Sequence, residues 1–276
     1  MPTLRPEERY EVDPQDKLVR AIVGGWAEEK HKRLRHYVDI SRGARRKFKG
    51  NSTYIDLYAG SGRARIRGTT DQVIDGSPLV AVAEAGRTVP FGEVYLAEYE
   101  PANLEACVAR LGRITAPPIS TYVGKAETTV HEVAARLSPT GLHLAFLDPF
   151  NIDAMPFGII ETLAAFEHMD LIIHVSVMDL QRNVKRLMAN GRLSAFAPGW
   201  ETAVDPHARN SIVVVEIMRY WQALIGRLGL KVSHVERVAG NRNQPLYWLV
   251  LAGRHPLADQ FWAEVSNVTS QRRLPF

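Results

Sequence analysis

The stretch YIDLYAGSG, residues 54–62, constrains this chain more than any other: an apolar run reaches an acid and then breaks into a glycine turn. A strand that feeds such a turn lets a ligand approach the backbone where no side chain intervenes. A phosphate-cradling GxxxxGK[ST] loop needs a lysine, and Arg63 is misplaced for it. A dinucleotide fingerprint opens directly into a helix. Here the next helical pattern starts only near Ser77, after RARIRGTTDQVIDG. Taken alone, the turn fits a tight strand–helix corner equally well.

The rhythm around the turn is that of a parallel sheet wrapped by helices. Apolar runs predict strands at about 53–59, 94–98, 120–123, 142–147 and 171–177. Amphipathic spacing predicts helices near 77–86, 102–111, 128–137, 157–167 and 209–228, with a last one at 257–268. LKVSHVERVAG and PLYWLVLAG, separated by NRNQ, predict a hairpin that brings an antiparallel strand into the sheet. That ending separates a methyltransferase-type Rossmann fold from the dehydrogenases, whose sheets stay parallel. The partly polar stretch 178–208 lacks a strand pattern and reads as a lid or insertion. Ahead of residue 53, Asp13-Pro14 has the form of a helix start, and Leu18, Ile22 and Trp26 follow at helical spacing. A second helix carries Leu34, Tyr37, Val38 and Phe48. The expected architecture is α/β: a Rossmann-like seven-stranded, mostly parallel sheet with a C-terminal antiparallel hairpin. A helical basic extension (1–52) precedes that domain (53–276).

With 276 residues, 46% apolar and 23% charged, the chain has the composition of a globular protein with a sizeable core. No run is long and apolar enough for a membrane span, and the first residues lack the apolar core of a signal peptide, so a cytoplasmic location is expected. The one cysteine, Cys107, excludes an internal disulfide and a cysteine-built metal site, and reads as a packed core thiol. Nine histidines are scattered without ligand spacing, so no metal is expected. Charge is uneven: residues 30–49 hold nine Lys/Arg, Arg45 and Arg46 among them, against the single acid Asp39. Such a run attracts phosphates; it also fits a solvated helix face.

The predicted strand ends carry a set of further features. Asp56 closes the first strand, where a carboxylate reaches a cationic ligand group or its water. Glu98 closes the second, where an acid hydrogen-bonds both ribose hydroxyls. VGKAE follows the third, where an adenine would lie, and AFLDPF places Asp148, Pro149 and Phe150 after the fourth. Together they fit a nucleoside with a positive centre and no phosphates, which is S-adenosylmethionine.

On these residues the chain resembles class I S-adenosylmethionine-dependent methyltransferases. DLYAGSG resembles their first motif, AEYEPAN their acidic second motif, and LDPF the fourth motif of amino-methyltransferases. The pairing of DLYAGSG with LDPF is particularly similar to rRNA base methyltransferases. YIDLYAGSG, DGSPLVAV, LDPFNI, DLQRN and PLYWLVLAGRHPLADQFW together resemble the three-Cys-motif partner protein family of bacteria, over about residues 54–268. The resemblance implies cofactor contacts from Asp56, Ala59, Gly60, Ser61, Gly62, Glu98, Tyr99, Lys125 and Ala126. It also implies a radical-S-adenosylmethionine-like partner that carries the three cysteines. Two positions depart from the motifs: Lys125 stands where an acid commonly faces the adenine amine, with Glu127 nearby as a substitute, and the fourth motif reads Asp-Pro-Phe-Asn with one proline.

An exocyclic base amine is a poor nucleophile, because its lone pair is delocalised. Asp148 and the Pro149 carbonyl are suited to orient it, Phe150 to stack on the base and Asn151 to read its edge. A base in a duplex has to be flipped out first. Arg63, Arg65 and Arg67 alternate, so an extended loop shows them on one face, toward nucleic-acid phosphate, a partner's acids or solvent. In MDLQRN, Arg182 and Asn183 fit a substrate edge, and an Asp179–Arg182 pair is the plainer reading. Two functions follow: a methyltransferase acting on a nucleic-acid base, or a methyltransferase-fold binding subunit of a three-Cys-motif protein without catalysis of its own. A small-molecule methyltransferase ranks third, and the basic N-terminal run argues against it.

Overall fold

The computed structural model describes residues 9–114, 117–233, 236–239 and 245–267. The chain divides into two compact units, one of Met1–Lys125 with Gly141–Phe146, the other of Ala126–Thr140 with Leu147–Phe276. The expected boundary at residue 52 is therefore not where the contacts divide.

The first unit opens with β1 (Tyr10–Val12) and β2 (Val19–Val23), then α1 (Ala27–Ile40) and α2 (Arg42–Lys47). β3 (Ser52–Asp56) leads into the glycine turn, followed by β4 (Arg63–Ile66), β5 (Val73–Asp75) and α3 (Ser77–Gly86). β6 (Glu93–Glu98), α4 (Pro101–Leu111) and β7 (Ile119–Val123) follow, and the returning segment supplies β8 (Leu142–Leu147). β8, β3, β6 and β7 run parallel in that order. β3 is buried along its whole length, as a strand covered on both faces should be. α1 packs on α3 and buries Leu34, Tyr37 and Val38.

The N-terminal residues correct the helical expectation. β1 and β2 form an antiparallel hairpin, and β2 runs parallel to β4 in a separate sheet ordered β1-β2-β4-β5. Asp13 does not cap a helix: its Oδ1 accepts from Gln15 N at 2.9 Å, and its backbone closes the hairpin through Asp13 N to Leu18 O, 2.8 Å. An aspartate before proline opens such an Asx turn by the same short-range acceptance that caps a helix. RARIRG is likewise no loop, since Arg63, Arg65 and their neighbours form β4.

The second unit holds α5 (Ala126–Ala134), α6 (Phe157–Ala164), β9 (Met169–Val175), α7 (Val177–Ala189), α8 (Leu193–Phe196), α9 (Asn210–Arg227), β10 (Lys231–Val232), β11 (Glu236–Ala239), β12 (Pro245–Gly253) and α10 (Pro256–Asn267). β12 is antiparallel to β9, β10 and β11. The expected antiparallel hairpin is present, while its turn, 240–244, and the end of the last helix at 268 fall outside the described residues. The segment expected as a lid is helical and packed: α7 buries Val177, Leu180, Val184 and Leu187, and Phe196 stacks on Trp221 with ring centroids 5.3 Å apart. The main sheet has the strand order β10-β12-β9-β8-β3-β6-β7, with β11 on β12. A mostly parallel sheet ending in an inserted antiparallel strand is the Rossmann-like methyltransferase fold that the hairpin pattern predicted. Among the described residues no helix is long and apolar enough to cross a membrane.

Candidate functional site

The geometry in the first unit starts at the glycine turn. Gly60 and Gly62 sit at φ +58° and +77°, a conformation that favours glycine. Their surroundings differ. A Cβ on Gly62 would lie 2.8 Å from Leu79 Cδ1 and 3.1 Å from Cys107 Cα, whereas a Cβ on Gly60 would meet no protein atom within 4 Å. Gly62 is thus a packing glycine, and Gly60 borders open space.

Glu98 joins the turn across the sheet. Its Oε2 accepts from Gly60 N at 2.8 Å, and its Oε1 accepts from Tyr99 N at 2.9 Å and Glu100 N at 3.1 Å. Three backbone donors fix the carboxylate beside the open face of the turn. Tyr99, the next residue, is 61% exposed, and Val123, paired in register with Glu98, is 58% exposed. Val123 opens the VGKAE stretch expected beside an adenine, although the sequence reading named only Lys125 and Ala126 there as contacts. Lys125 is exposed at the end of this unit, and Ala126 is buried as the first residue of α5 in the other.

The remaining turn residues face inward. Asp56 is fully buried, with Oδ2 accepting from Tyr54 Oη (3.0 Å) and Ser77 Oγ (2.6 Å) and Oδ1 from Tyr58 N (3.0 Å). It ties the end of β3 to the start of α3 and does not present a carboxylate to a ligand. Burial and the neighbouring Asp56 push the Tyr54 hydroxyl well above its ordinary pKa. Ala59 continues the strand pairing through its N–H to Ala97 O, 3.0 Å, and the buried Ser61 donates from Oγ to Arg63 O, 3.0 Å. Cys107 is buried, and burial raises its thiol pKa, as the reading of a packed core thiol requires.

Behind the turn lies an ion-pair cluster that sequence reasoning missed. Arg110, 2% exposed, makes a two-pronged contact with Asp16 (Nε to Oδ2 2.8 Å, Nη2 to Oδ1 2.9 Å). Its Nη1 donates to Val19 O (2.8 Å) and to Ser61 O (2.6 Å), so one guanidinium holds the hairpin, α4 and the glycine turn together. The Arg110 bond, ahead of other causes, holds the Asp16 carboxyl down to about 2. The arginines expected to face a substrate belong to the same cluster. Arg63 donates to Asp13 (3.2 Å) and Gln15 (2.9 Å), and Arg65 takes both oxygens of Glu11 (2.7 and 2.8 Å). Arg67 is half-buried, and its Nε is buried without a hydrogen-bond partner among the described residues.

Part of the basic run is paired in the same way. Lys32 and Arg33 pair with Glu29, and Arg42 pairs with Asp39 at 2.7 Å. Arg45 is 1% exposed and donates to Val38 O, Ser41 Oγ and Val89 O at 2.6–2.9 Å, so it is not a phosphate ligand. Arg46, Lys47 and Lys49 remain exposed.

In the second unit, Asp148 Oδ1 lies 3.2 Å from His174 Nδ1, Pro149 is buried and Phe150 is 72% exposed. Asn151 caps the 3-10 turn Ile152–Ala154, its Oδ1 accepting from Ala154 N at 2.9 Å, which commits its carbonyl oxygen locally. Asp179 accepts from Ile152 N (3.1 Å) and from Asn183 Nδ2 (2.7 Å), in place of the expected pair with Arg182. Asn183 is therefore held within α7, and Arg182 is exposed. No cluster of metal-ligating side chains occurs among the described residues.

This topology and turn define the class: an α/β chain with the class I methyltransferase-like fold. No family model and no curated protein matches the chain. Among solved structures it is similar to protein LPL1258 of family DUF519 from Legionella pneumophila str. Philadelphia 1, at 11% identity and TM-score 0.53, covering 87% of this chain and 91% of that one. The likeness is one of fold. An O-methyltransferase from Bacillus cereus in complex with SAH matches at 12% identity and TM-score 0.47, over 81% of this chain and 80% of that one. M. jannaschii TYW2 in complex with AdoMet matches at 10% identity and TM-score 0.42, over 90% and 87%.

Proposed function

We propose that the chain is an S-adenosylmethionine-dependent methyltransferase acting on an exocyclic amine of a nucleic-acid base. The observation that carries the reading is the Gly60–Glu98 contact at 2.8 Å, beside a turn whose Gly60 borders open space. The residues fit the cofactor: the backbone at Gly60 accommodates the methionine part, Glu98 takes the ribose hydroxyls, and Tyr99 and Val123 offer apolar surface to the adenine. The bound cofactor supplies an electrophilic methyl group on a sulfonium.

What the chain contributes is alignment and exclusion of water. Asp148 and the Pro149 carbonyl accept from the acceptor amine and orient its lone pair, and the amine proton leaves toward the Asp148 carboxylate. The exposed Phe150 ring stacks on the base, worth about 1–3 kcal/mol. Arg46, Lys47 and Lys49 supply phosphate contacts.

A second reading, a methyltransferase-fold subunit that docks on a three-Cys-motif radical-S-adenosylmethionine-like protein, is favoured by the Asn151 cap and by the apolar ring of Phe150 in solvent. Two measurements decide. Calorimetric titration with S-adenosylmethionine gives micromolar binding in the native protein and none in Gly60→Arg. Labelled methyl then passes to RNA or DNA and is lost in Asp148→Ala. Tight cofactor binding without transfer to any nucleic acid rejects the first reading.

A further inference from the structure

We propose that Tyr10, carried by the N-terminal hairpin, is a second ribose ligand of the cofactor site, its hydroxyl taking the ribose hydroxyl that Glu98 has no acceptor left to serve. The inference rests on the S-adenosylmethionine reading given above and narrows the part of Glu98 within it. A carboxylate offers roughly four lone-pair sites. The backbone amides of Gly60, Tyr99 and Glu100 fill three of them. One site remains, and the ribose brings two neighbouring hydroxyls.

The hairpin carries Tyr10 to that place. Arg110 of α4 binds Asp16 in the hairpin turn and Val19 O at the start of β2. Asn103 precedes Arg110 by about two helical turns on the same face of α4. Tyr10 pairs with Ala21, farther from the turn than the Val12–Val19 pair. It shares its face of the sheet with Ala21 and Ala64, while Glu11, bound by Arg20 and Arg65, takes the other. The tyrosine thus stands apart from the ion pairs and close to the start of α4. Burial, and after it the charge of Glu98, raises the pKa of its hydroxyl, and Asn103 lowers it.

Asn103 supplies an independent observation. It is 3% exposed, and its Nδ2 is buried without a hydrogen-bond partner among the described residues. A buried donor in that state is costly. The Tyr10 ring is 40% exposed, which leaves its outer side open to a ligand. A small rotation of the ring lets Oη accept from Asn103 Nδ2 with one lone pair and from the ribose with the other.

Calorimetry on the full chain tests the assignment, with S-adenosylhomocysteine and its 2′-deoxy and 3′-deoxy forms as probes. Tyr10→Phe keeps the ring and removes the hydroxyl. Affinity for S-adenosylhomocysteine is expected to fall about three- to tenfold, the range of one neutral hydrogen bond, with the melting temperature within a few degrees of native. The native protein binds both deoxy forms more weakly. Tyr10→Phe loses that discrimination against one form and keeps it against the other, which Glu98 serves. Asn103→Leu also weakens binding, and adds nothing in the Tyr10→Phe background. A Tyr10→Phe protein that binds as the native one does, that still discriminates against both deoxy forms, or whose loss adds in full to that of Asn103→Leu overturns the proposal and leaves the cofactor reading standing. A native protein that binds neither S-adenosylmethionine nor S-adenosylhomocysteine overturns both.

Discussion

Replacing Asp16 by asparagine preserves shape and removes one charge from the pair with Arg110. Both side chains are nearly inaccessible, at 2% and 1% exposure, and the bonds are 2.8 and 2.9 Å. Two routes give the magnitude. The carboxyl is lowered from 3.8 to about 2, and that shift corresponds to about 2 kcal/mol of native-state preference for the charged form. Removing one partner of a buried pair costs about 3–5 kcal/mol, since it also strands the other charge. Asp13, 3.7 Å from Arg110 Nη2, softens that loss, so Asp16→Asn is expected to cost about 2–4 kcal/mol at pH 7. Urea unfolding reads the total, and hydrogen exchange at the β2 amides reads the loss locally. The pH dependence follows from the sign. A depressed carboxyl stabilises fully above its unfolded pKa and loses that contribution as pH falls from about 4 toward 2, so the variant has a flatter acid limb than the native protein. Some limb remains, because Glu11, bonded to Arg65, is also lowered to about 2. Substituting both partners by apolar residues does not restore stability, because Val19 O and Ser61 O then lose their donor, at about 1–3 kcal/mol each. A loss below about 1 kcal/mol at pH 7, or an acid limb identical to native, refutes the clamp.

The two turn glycines separate strain from packing. Gly60→Ala costs about 1–2 kcal/mol for its left-handed backbone, while Gly62→Ala adds about 1–3 kcal/mol for the clash with Leu79 and Cys107, as measured by denaturation midpoints. Cys107, buried and held as a thiol, does not react with an aromatic disulfide reagent at pH 8 in the native protein and reacts once urea unfolds it; fast native labelling contradicts its placement. Adjacent arginines behave oppositely: Arg45→Met lowers stability by about 2–4 kcal/mol through the carbonyls and hydroxyl it leaves, while joint replacement of Arg46, Lys47 and Lys49 by alanine leaves stability within about 1 kcal/mol. The triple variant also lowers the slope of log affinity for RNA against log salt by about 2–3, and an unchanged slope removes these cations from the nucleic-acid interface.

Most of the sheet was legible because its signals are local. Apolar runs bounded by polar residues located β3, β6, β7, β8 and β9 within a few residues, and the helix at 77–86 coincides with α3. The antiparallel ending was legible for the same reason. At the candidate site the backbone signal held and the side-chain signal divided. A glycine turn and an acid 38 residues later were expected to serve one ligand, and Gly60 and Glu98 do meet. Asp56 shows what alternation cannot supply: it ends a strand as expected, yet Tyr54 and Ser77, from either side of the turn, draw its carboxylate into the core.

The misread residues share a physical cause. A run of cations looks free when acids within a few positions are scarce, but Coulombic pairing depends on distance in space. Glu11 lies 54 residues before Arg65, and Asp16 lies 94 before Arg110. Those separations close only because DPQDK forms a turn and not a helix, which lets β2 run beside β4 and delivers Glu11, Asp13 and Asp16 to arginines arranged along it. One wrong assignment at Asp13-Pro14 therefore produced two errors at once, a missing sheet and a row of arginines offered to a substrate. The same pairing sharpens the electrostatic reading. With Arg63 and Arg65 held by acids and Arg45 buried, Arg46, Lys47 and Lys49, just before β3, which leads into the glycine turn, are exposed cations of the basic run. A nucleic-acid partner that ignores those three residues would have to find its phosphate contacts elsewhere, which is why their salt slope discriminates better than the arginines first chosen.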